Sequence, residues 1–199
     1  FVKIISGVER KSSGKIFWKG KEVDIISIKQ ARSLGIETVY QEQALAPQLT
    51  VLQNIFLGRP ITKSVPLGVL DNKAMAKAAA PVIKELGLNV QLDQEVRFCS
   101  GGEQQGVAVA RALLFKANLV ILDEPTRALS ATGVERILEF IRGLKQQGIA
   151  VIVISHVFPQ IFPVTDRFIV LSRGTVIAEK RAEETSPEDL TRVVVGKAR

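Results

Sequence analysis

The sequence predicts an α/β fold in which a mainly parallel sheet is covered by helices. Two apolar strands are predicted in the second half of the chain, at Leu119–Asp123 and at residues 150–155, and a helix at residues 133–147 separates them. This alternation is typical of parallel sheets, because the connection between parallel strands usually contains a helix. A third observation is a loosely alternating segment at residues 14–28, which predicts an antiparallel hairpin.

Shorter elements are predicted in the first half of the chain. The Lys-Gly-Lys sequence at residues 19–21 marks the turn of the hairpin. A short helix is expected at residues 28–34, closed by Gly35, and a brief buried strand is expected at residues 37–40.

A helical region is expected from about residue 52 to residue 88. Its clearest helix covers residues 73–86, with Asp71 or Asn72 as its cap and Gly87 closing it. We expect this helix to bend near Ala79, because Pro81 lacks the N–H group that would close a helical hydrogen bond.

The composition is that of an ordinary globular domain. Of the 199 residues, 46% are apolar, and no apolar run approaches the roughly 20 residues that cross a bilayer. The net charge of +7 would suit a nucleic-acid partner, but basic residues are interspersed with acidic ones and only 6% of residues are aromatic. We therefore expect no nucleic-acid partner. The single cysteine, Cys99, excludes an internal disulfide and fits a reducing cytoplasm.

The segment from Ser100 to Gln105 has the pattern of an anion-binding helix start. Gly101 and Gly102 follow a serine and open a predicted helix. Glycines let backbone N–H groups approach a ligand closely, and the helix dipole favours negative charge at this end. The segment therefore predicts a contact with a phosphate group.

Two acidic residues, Asp123 and Glu124, end the predicted strand at Leu119–Asp123. They are expected at the carboxyl edge of the sheet, where α/β proteins bind ligands. Successive strand side chains point in opposite directions, so the two acids can have different roles. Asp123 suits Mg²⁺, and Glu124 suits an attacking water. The alternative is that both acids simply precede the turn at Pro125.

His156 is the only histidine of the chain. An isolated histidine is more often a packed or surface residue than a functional one. His156, however, directly follows the predicted strand at residues 150–155, which places it at the same sheet edge as Glu124. This position favours a functional role.

Four segments occur in an order and spacing typical of one protein family: residues 100–105, 107–113, 120–126 and 153–156. Together they resemble the nucleotide-binding subunits of ABC transporters. Residues 39–42 resemble the Q-loop of that family, and residues 54–59 and 106–111 resemble its sugar-importing members. The resemblance implies the ABC ATPase fold, which has a P-loop NTPase-like parallel sheet core, a helical subdomain and an antiparallel hairpin region.

The resemblance also implies a single domain over residues 1–199. Residues 1–41 and 116–199 would form the core, and residues from about 42 to 115 would form the helical subdomain that ends in the signature motif. The Gly-x-x-x-x-Gly-Lys-Ser/Thr loop that holds ATP phosphates is absent from the sequence. Because residues 1–7 resemble the helix after that loop, we expect an N-terminally truncated chain that is inactive alone.

Catalytic roles at the sheet edge follow from the resemblance. Gln41 would contact both Mg²⁺ and the lytic water, and Asp123 would serve the metal. Glu124 would act as the catalytic base, and His156 would touch the γ-phosphate of ATP. ATP and Mg²⁺ are therefore the implied cofactors.

A second ATPase subunit, in a head-to-tail dimer, is the implied partner of the signature motif. The signature residues would bind the γ-phosphate of ATP held by that subunit: Ser100, Gly101, Gly102 and Glu103. The D-loop between the two sites would consist of Ala128, Leu129 and Ser130. Three positions depart from the family pattern: Cys99 replaces a usual leucine, Arg127 replaces a small residue, and Ser130 stands where Asp or Gly is common.

The expected function is that of an ATP-hydrolysing subunit of an ABC importer for a sugar. Besides the second ATPase subunit, its expected partners are the permease subunits and, indirectly, a substrate-binding protein. Its expected location is the cytoplasmic face of the plasma membrane. The alternative is a non-hydrolysing interaction module. Apolar positions at residues 49–57 are a candidate groove for a permease helix, with ordinary core packing as the alternative.

Overall fold

The antiparallel hairpin predicted near the start of the chain is present in the computed structural model. It follows a short helix, α1 (Val2–Ile5), and consists of β1 (Ile16–Trp18) and β2 (Lys21–Val23). Lys19 and Gly20 form its turn with φ angles of 49° and 78°, and a two-residue type I′ turn requires positive φ at both positions. The structure describes these residues: 1–39, 45–63, 68–115, 117–127 and 129–196.

A short helix and a strand follow the hairpin, as predicted: α2 (Ile28–Ser33) and β3 (Ile36–Val39). Ser27 caps α2, because its Oγ accepts a hydrogen bond from the Gln30 N–H at 3.2 Å. The turn between the two elements contains Gly35, with φ of 80°. A Cβ at this position would lie 2.3 Å from Nδ2 of the Asn118 side chain and 3.2 Å from the Asn118 backbone nitrogen, so both the φ angle and the close packing of this turn favour glycine.

Three helices form the helical region: α3 (Val51–Ile55), α4 (Asn72–Glu85) and α5 (Gly101–Leu114). Asp71 caps α4 by accepting a hydrogen bond from the Ala74 N–H at 3.0 Å. α4 contains Pro81 and continues through it as a single helix.

The second half alternates strands and helices in the predicted order. In chain order, its elements are β4 (Leu119–Asp123), α6 (Ala131–Gln146), β5 (Ala150–Ile154), α7 (Phe158–Ile161), β6 (Arg167–Ser172), β7 (Thr175–Arg181) and α8 (Pro187–Gly196). The central sheet has the strand order β3–β4–β5, and all three strands are parallel. β6 and β7 form a second antiparallel hairpin. The predicted α/β fold class is therefore confirmed.

Two hydrophobic clusters meet at α5. Ala108 and Val109 of α5 pack with β3, β4 and α6 in the sheet cluster. Val107 and Ala110 of the same helix pack with α3 and α4 in the helical cluster. Neighbouring residues of one helix thus face different cores, so α5 joins the helical region to the sheet.

The apolar positions at residues 49–57 belong mainly to the helical cluster. Val51, Leu52, Ile55 and Phe56 are all buried there. The candidate groove predicted at these positions is therefore wrong for these four side chains, and core packing accounts for them. Among the residues that the structure describes, no helix is long and apolar enough to cross a membrane.

Candidate functional site

The carboxyl edge of the central sheet brings the ends of β4 and β5 together. Asp123, the last residue of β4, lies opposite Ile154, the last residue of β5. Glu124 stays attached to β5 beyond the strand, because its backbone N–H donates a hydrogen bond to the Ile154 carbonyl at 2.9 Å. His156 lies two residues after β5. Three predicted site residues therefore lie at one sheet edge.

The side chains of Glu124 and His156 are in direct contact. Glu124 Oε1 and His156 Nδ1 are 2.8 Å apart, which is the distance of a strong hydrogen bond. The Glu124 side chain is only 14% exposed, whereas the His156 side chain is 71% exposed. Because Nδ1 of the His156 ring faces the Glu124 carboxylate, the other ring nitrogen, Nε2, faces away from Glu124.

The backbone of Glu124 is in the left-handed region, with φ of 50°. This conformation costs a non-glycine residue about 1 kcal/mol, because Cβ crowds the neighbouring carbonyl oxygen. Two hydrogen bonds maintain it: the bond to Ile154, and one that the Glu124 carbonyl accepts from the Arg127 N–H at 3.1 Å. These hydrogen bonds therefore stabilise the strained backbone conformation that keeps the Glu124 side chain at this edge.

Burial raises the pKa of Asp123 above its ordinary value, and the neighbouring charge of Glu124 raises it further. A cation beside the two carboxylates would oppose both effects. Carboxylate oxygens are the ligands that Mg²⁺ prefers, and this ion is usually held by one or two carboxylates together with water and phosphate oxygens. Among the described residues there is no cluster of three or more potential metal ligands. Asp123 and Glu124 thus fit Mg²⁺ held jointly with a phosphate ligand.

The start of α5 forms a separate, exposed feature of the molecule. Ser100 caps the helix, because its Oγ accepts a hydrogen bond from the Glu103 N–H at 3.3 Å. The Glu103 carboxylate in turn accepts hydrogen bonds from the Ser100 N–H at 2.7 Å and from its hydroxyl at 2.9 Å. The two residues form a capping box, so the predicted helix start is present and the Ser100 and Glu103 N–H groups are both hydrogen-bonded within it.

Space is open in front of this helix start. Gly101 and Gly102 are exposed, and a Cβ added to either would meet nothing within 4 Å. The surrounding protein therefore does not require glycine here, and the open space would admit a ligand close to the backbone.

Gln104 anchors the turn before α5, a role that the motif alone did not indicate. Its Nε2 donates hydrogen bonds to the carbonyls of Cys99 at 3.0 Å and Val96 at 3.3 Å. The only signal in the sequence was a glutamine at the fourth position after the capping serine, Ser100.

Comparison with known families decides which protein class carries these features. A family model described as ABC transporter matches residues 1–127, more than half of the chain. The chain belongs to the ABC transporter family.

Relatives of this ABC protein include several sugar-import ATP-binding proteins. The xylose/arabinose import ATP-binding protein of Sulfolobus acidocaldarius is 41% identical over 194 residues, covering 97% of this chain and 76% of the relative. The fructose import ATP-binding protein of Rhizobium meliloti is 41% identical over 196 residues, covering 96% and 74%. A ribose import ATP-binding protein of Caldanaerobacter subterraneus is 37% identical, and the chain spans only 39% of its length.

Solved ATP-binding cassettes of ABC transporters share the fold. The ADP conformation of the cassette MJ1267 has a TM-score of 0.80 at 22% identity and covers 99% of this chain and 79% of that cassette. The cassette MJ0796, solved as a dimer bound to ADP and phosphate, has a TM-score of 0.75 at 24% identity, with coverage of 91% and 78%. These comparisons confirm the predicted family and the ABC ATPase fold.

The remaining predicted site residues of this ABC protein are distributed differently. Gln41 and Ala128 lie outside the described residues. Ser130 caps α6, since its Oγ accepts a hydrogen bond from the Gly133 N–H at 3.2 Å. The Leu129 N–H donates to the Thr126 carbonyl at 3.4 Å. Leu129 and Ser130 therefore form the connection from the sheet edge to α6.

Two departures from the family pattern have clear structural settings. Cys99 is buried, with 6% exposure, and packs in the helical cluster, as an apolar residue in its place would. Burial raises the pKa of its thiol, and the charge of Glu103 raises it further. Arg127 is exposed beside the sheet edge.

Proposed function

We propose that the chain belongs to the ATP-hydrolysing component of an ABC importer whose cargo is a sugar. The observation that carries this proposal is the Glu124–His156 pair, 2.8 Å apart and next to Asp123 at the carboxyl edge of the sheet. The import functions of the xylose/arabinose and fructose relatives support the sugar as cargo. The cytoplasmic face of the membrane, reached through permease subunits, is the proposed location.

The sheet edge would carry out hydrolysis. Glu124 would accept a proton from the attacking water, and His156, oriented through Nδ1, would present Nε2 to the γ-phosphate of ATP. Asp123 would hold Mg²⁺, and Gln41 would contact both the metal and the water. Mg²⁺ bound with ATP would neutralise charge on the phosphate oxygens.

The start of α5 would serve the ATP of a second ATPase subunit, in a head-to-tail dimer. Ser100, Gly101 and Gly102 would face its γ-phosphate, and this role is supported by the exposed, open glycines of a 14-residue helix. The Ser100 hydroxyl would exchange its hydrogen bond to the Glu103 carboxylate for one to the phosphate. Leu129, Ser130 and Ala128 would form the D-loop between the two sites.

The division of the domain remains part of the proposal. Residues 1–41 and 116–199 would form the core, and residues from about 42 to 115 would form the helical subdomain. The separate hydrophobic clusters of the sheet and of α3 and α4 support this division.

The decisive test compares the chain with a longer version. In the longer version, Phe1 is preceded by a strand and a Gly-x-x-x-x-Gly-Lys-Ser/Thr loop. With Mg²⁺ and a fluorescent ATP analogue, we expect negligible binding by the chain alone, because its sequence contains no Gly-x-x-x-x-Gly-Lys-Ser/Thr loop whose lysine and backbone N–H groups would hold the phosphates. We expect saturable binding and ATP hydrolysis by the longer version.

Glu124→Gln in the longer version isolates the proposed base. It should keep ATP binding and lose about 10²-fold or more in turnover. Glu135→Gln is the matched control, since Glu135 is exposed on α6 and pairs with Arg142. Hydrolysis at the normal rate by the Glu124 variant would refute the proposed mechanism. Uptake of labelled pentoses and hexoses, measured with the permease subunits, tests the cargo.

A further inference from the structure

A glutamate lies inside the apolar sheet. Glu37, in β3, is only 6% exposed, and Ile36 and Val39 of the same strand are core residues. Its carboxylate meets two arginines: Oε1 is 2.6 Å from Arg59 Nη2, and Oε2 is 3.9 Å from Arg32 Nε. The short distance to Arg59 makes this contact a close ion pair between defined atoms.

The charges around Glu37 come from three different parts of the fold. Arg32 belongs to α2, Arg59 follows α3 in the helical region, and Arg111 belongs to α5. Burial raises the pKa of the Glu37 carboxyl, and the charges of Arg59, Arg32 and Arg111 oppose this rise by favouring the charged form. Burial lowers the pKa of the Arg111 guanidinium, and the charges of Arg32 and Arg59 lower it further, whereas the charge of Glu37 opposes this by raising it. Glu37 is thus a counter-charge shared by three cations.

Arg59 also contacts the helical region through aromatic rings. Its guanidinium carbon is 4.5 Å from the centre of the Phe115 ring, which follows α5. Phe115 meets the ring of Phe56, at the end of α3, edge to face at 6.0 Å. The Arg59 guanidinium therefore contacts the sheet through Glu37 and the end of α5 through Phe115, which in turn packs against Phe56 at the end of α3.

This cluster lies where the two proposed halves of the site are attached to each other. α5 packs against β3, starts at the Ser100 motif and carries Arg111 ten residues after its first residue, about 15 Å along the helix. β4, which pairs with β3, ends at Asp123. A change of tilt at Arg111 would therefore move the Ser100 motif relative to the sheet edge.

We propose that Glu37 is a positioning residue whose buried charge, held by Arg59 and Arg32, fixes the orientation of the helical region on the sheet. Apolar packing between α5 and β3 also attaches the two parts, but it is not directional. An ion pair between defined atoms selects one orientation, and burial of such a pair adds little stability of its own. The consequence for hydrolysis rests on the proposed function, whereas the attachment itself does not.

The single cysteine offers a direct measurement on the chain. Cys99 immediately precedes the helix cap and is buried, so a thiol reagent reaches it only when this region opens. We expect Glu37→Gln to raise the labelling rate of Cys99 roughly tenfold or more, because three cations lose their shared counter-charge. Glu135→Gln, which removes the exposed partner of Arg142, should change the rate less than about twofold.

Global unfolding by urea, measured in parallel, separates positioning from general stability. The proposal requires the labelling rate to rise by a larger factor than the global unfolding equilibrium constant. An equal rise in both, or no rise in labelling, would overturn it. In the double variant with Arg59→Gln, we expect the labelling rate to rise by less than the product of the two single-variant increases, because both changes remove the same ion pair; fully multiplied effects would contradict a shared pair.

A milder variant keeps the proposal testable if Glu37→Gln does not fold. Glu37→Asp preserves the charge and withdraws it by one methylene from Arg59. We expect faster Cys99 labelling than in the unchanged chain without an equal loss of global stability. Unchanged labelling in this variant would overturn the proposal. A shift in the KM for ATP of the longer version, found without faster labelling, would likewise contradict it.

Discussion

The sheet edge and the start of α5 each use a glutamate, but in opposite settings. At the sheet edge, Glu124 is mostly buried, its backbone is strained, and its partner His156 lies 32 residues away in the sequence. At the start of α5, Glu103 bonds to Ser100, three residues away, in an exposed capping box. The first glutamate is placed by tertiary structure, and the second by one helical turn.

This difference determines how each region should respond to change. A local capping box depends on the helix that it starts and on little else. The geometry at Glu124 depends on the pairing of β4 with β5, which in turn depends on the packing of the sheet cluster. Substitutions that loosen the sheet should therefore alter the geometry at Glu124, whereas substitutions in the capping box should act locally.

Leu122→Ala should disrupt the sheet edge most strongly. Leu122 is fully buried in β4, one residue before Asp123, and belongs to the sheet cluster. Removing its side chain should lower the free energy of unfolding by about 3 kcal/mol, as measured by urea denaturation. The proton resonances of His156, the only histidine, should also shift because its contact with Glu124 is altered. Unchanged resonances would show that the edge does not depend on the packing of the sheet.

Ser100→Ala should have a smaller and local effect. The loss of the cap should cost about 1 kcal/mol of stability, because the Glu103 N–H loses its partner. Ser130→Ala, which removes the cap of α6, is the matched control and should cost a similar amount. The His156 resonances should stay in place in the Ser100 variant. A shift there would contradict the independence of the two regions.

Glu124→Gly should separate the strain at the sheet edge from its chemistry. Glycine adopts φ of 50° without the Cβ penalty, so stability should rise by up to about 1 kcal/mol despite the lost contact with His156. Arg173→Gly, at φ of 48° in the turn of the second hairpin, is the control without a proposed role. In the longer version of the chain, the Glu124 variant should be inactive. A loss of stability at Glu124 alone would show that its side-chain contacts outweigh the strain.

The fold and much of the sheet edge could be predicted from the sequence because their signals are periodic. Parallel strands bring their carboxyl ends to one edge, so Asp123 and His156 could be placed there without coordinates. The left-handed backbone of Glu124 could not be predicted, because it depends on the hydrogen bond to Ile154 after the strands pair. The ion pair of Glu37 with Arg59 escaped prediction for the same reason, since it joins different regions.

The burial of residues 51–56 was harder to predict because α3 is so short. Three of its five residues are apolar, the polar Asn54 is buried with them, and only the packing of α4 and α5 decides which of the five meet water. Leu57 is exposed, whereas Phe56 next to it is buried. Sequence periodicity cannot resolve such neighbours in a helix of little more than one turn.

The smallest expected effect concerns the pH dependence of stability at the sheet edge. In the folded chain, burial and the charge of Glu124 raise the pKa of Asp123 above its ordinary value of 3.8. The folded state therefore keeps a proton at pH values where the unfolded chain has lost it, so this residue's contribution to the free energy of unfolding falls as pH rises through that window. Asp123→Asn should remove this fall, and Glu124→Gln should reduce it, because one of the two causes is gone.

Urea unfolding at a series of pH values above 3.8 would measure both variants. An identical pH slope in the unchanged chain and in Asp123→Asn would show that Asp123 is not the group responsible, whereas no change in Glu124→Gln would assign the shift to burial alone.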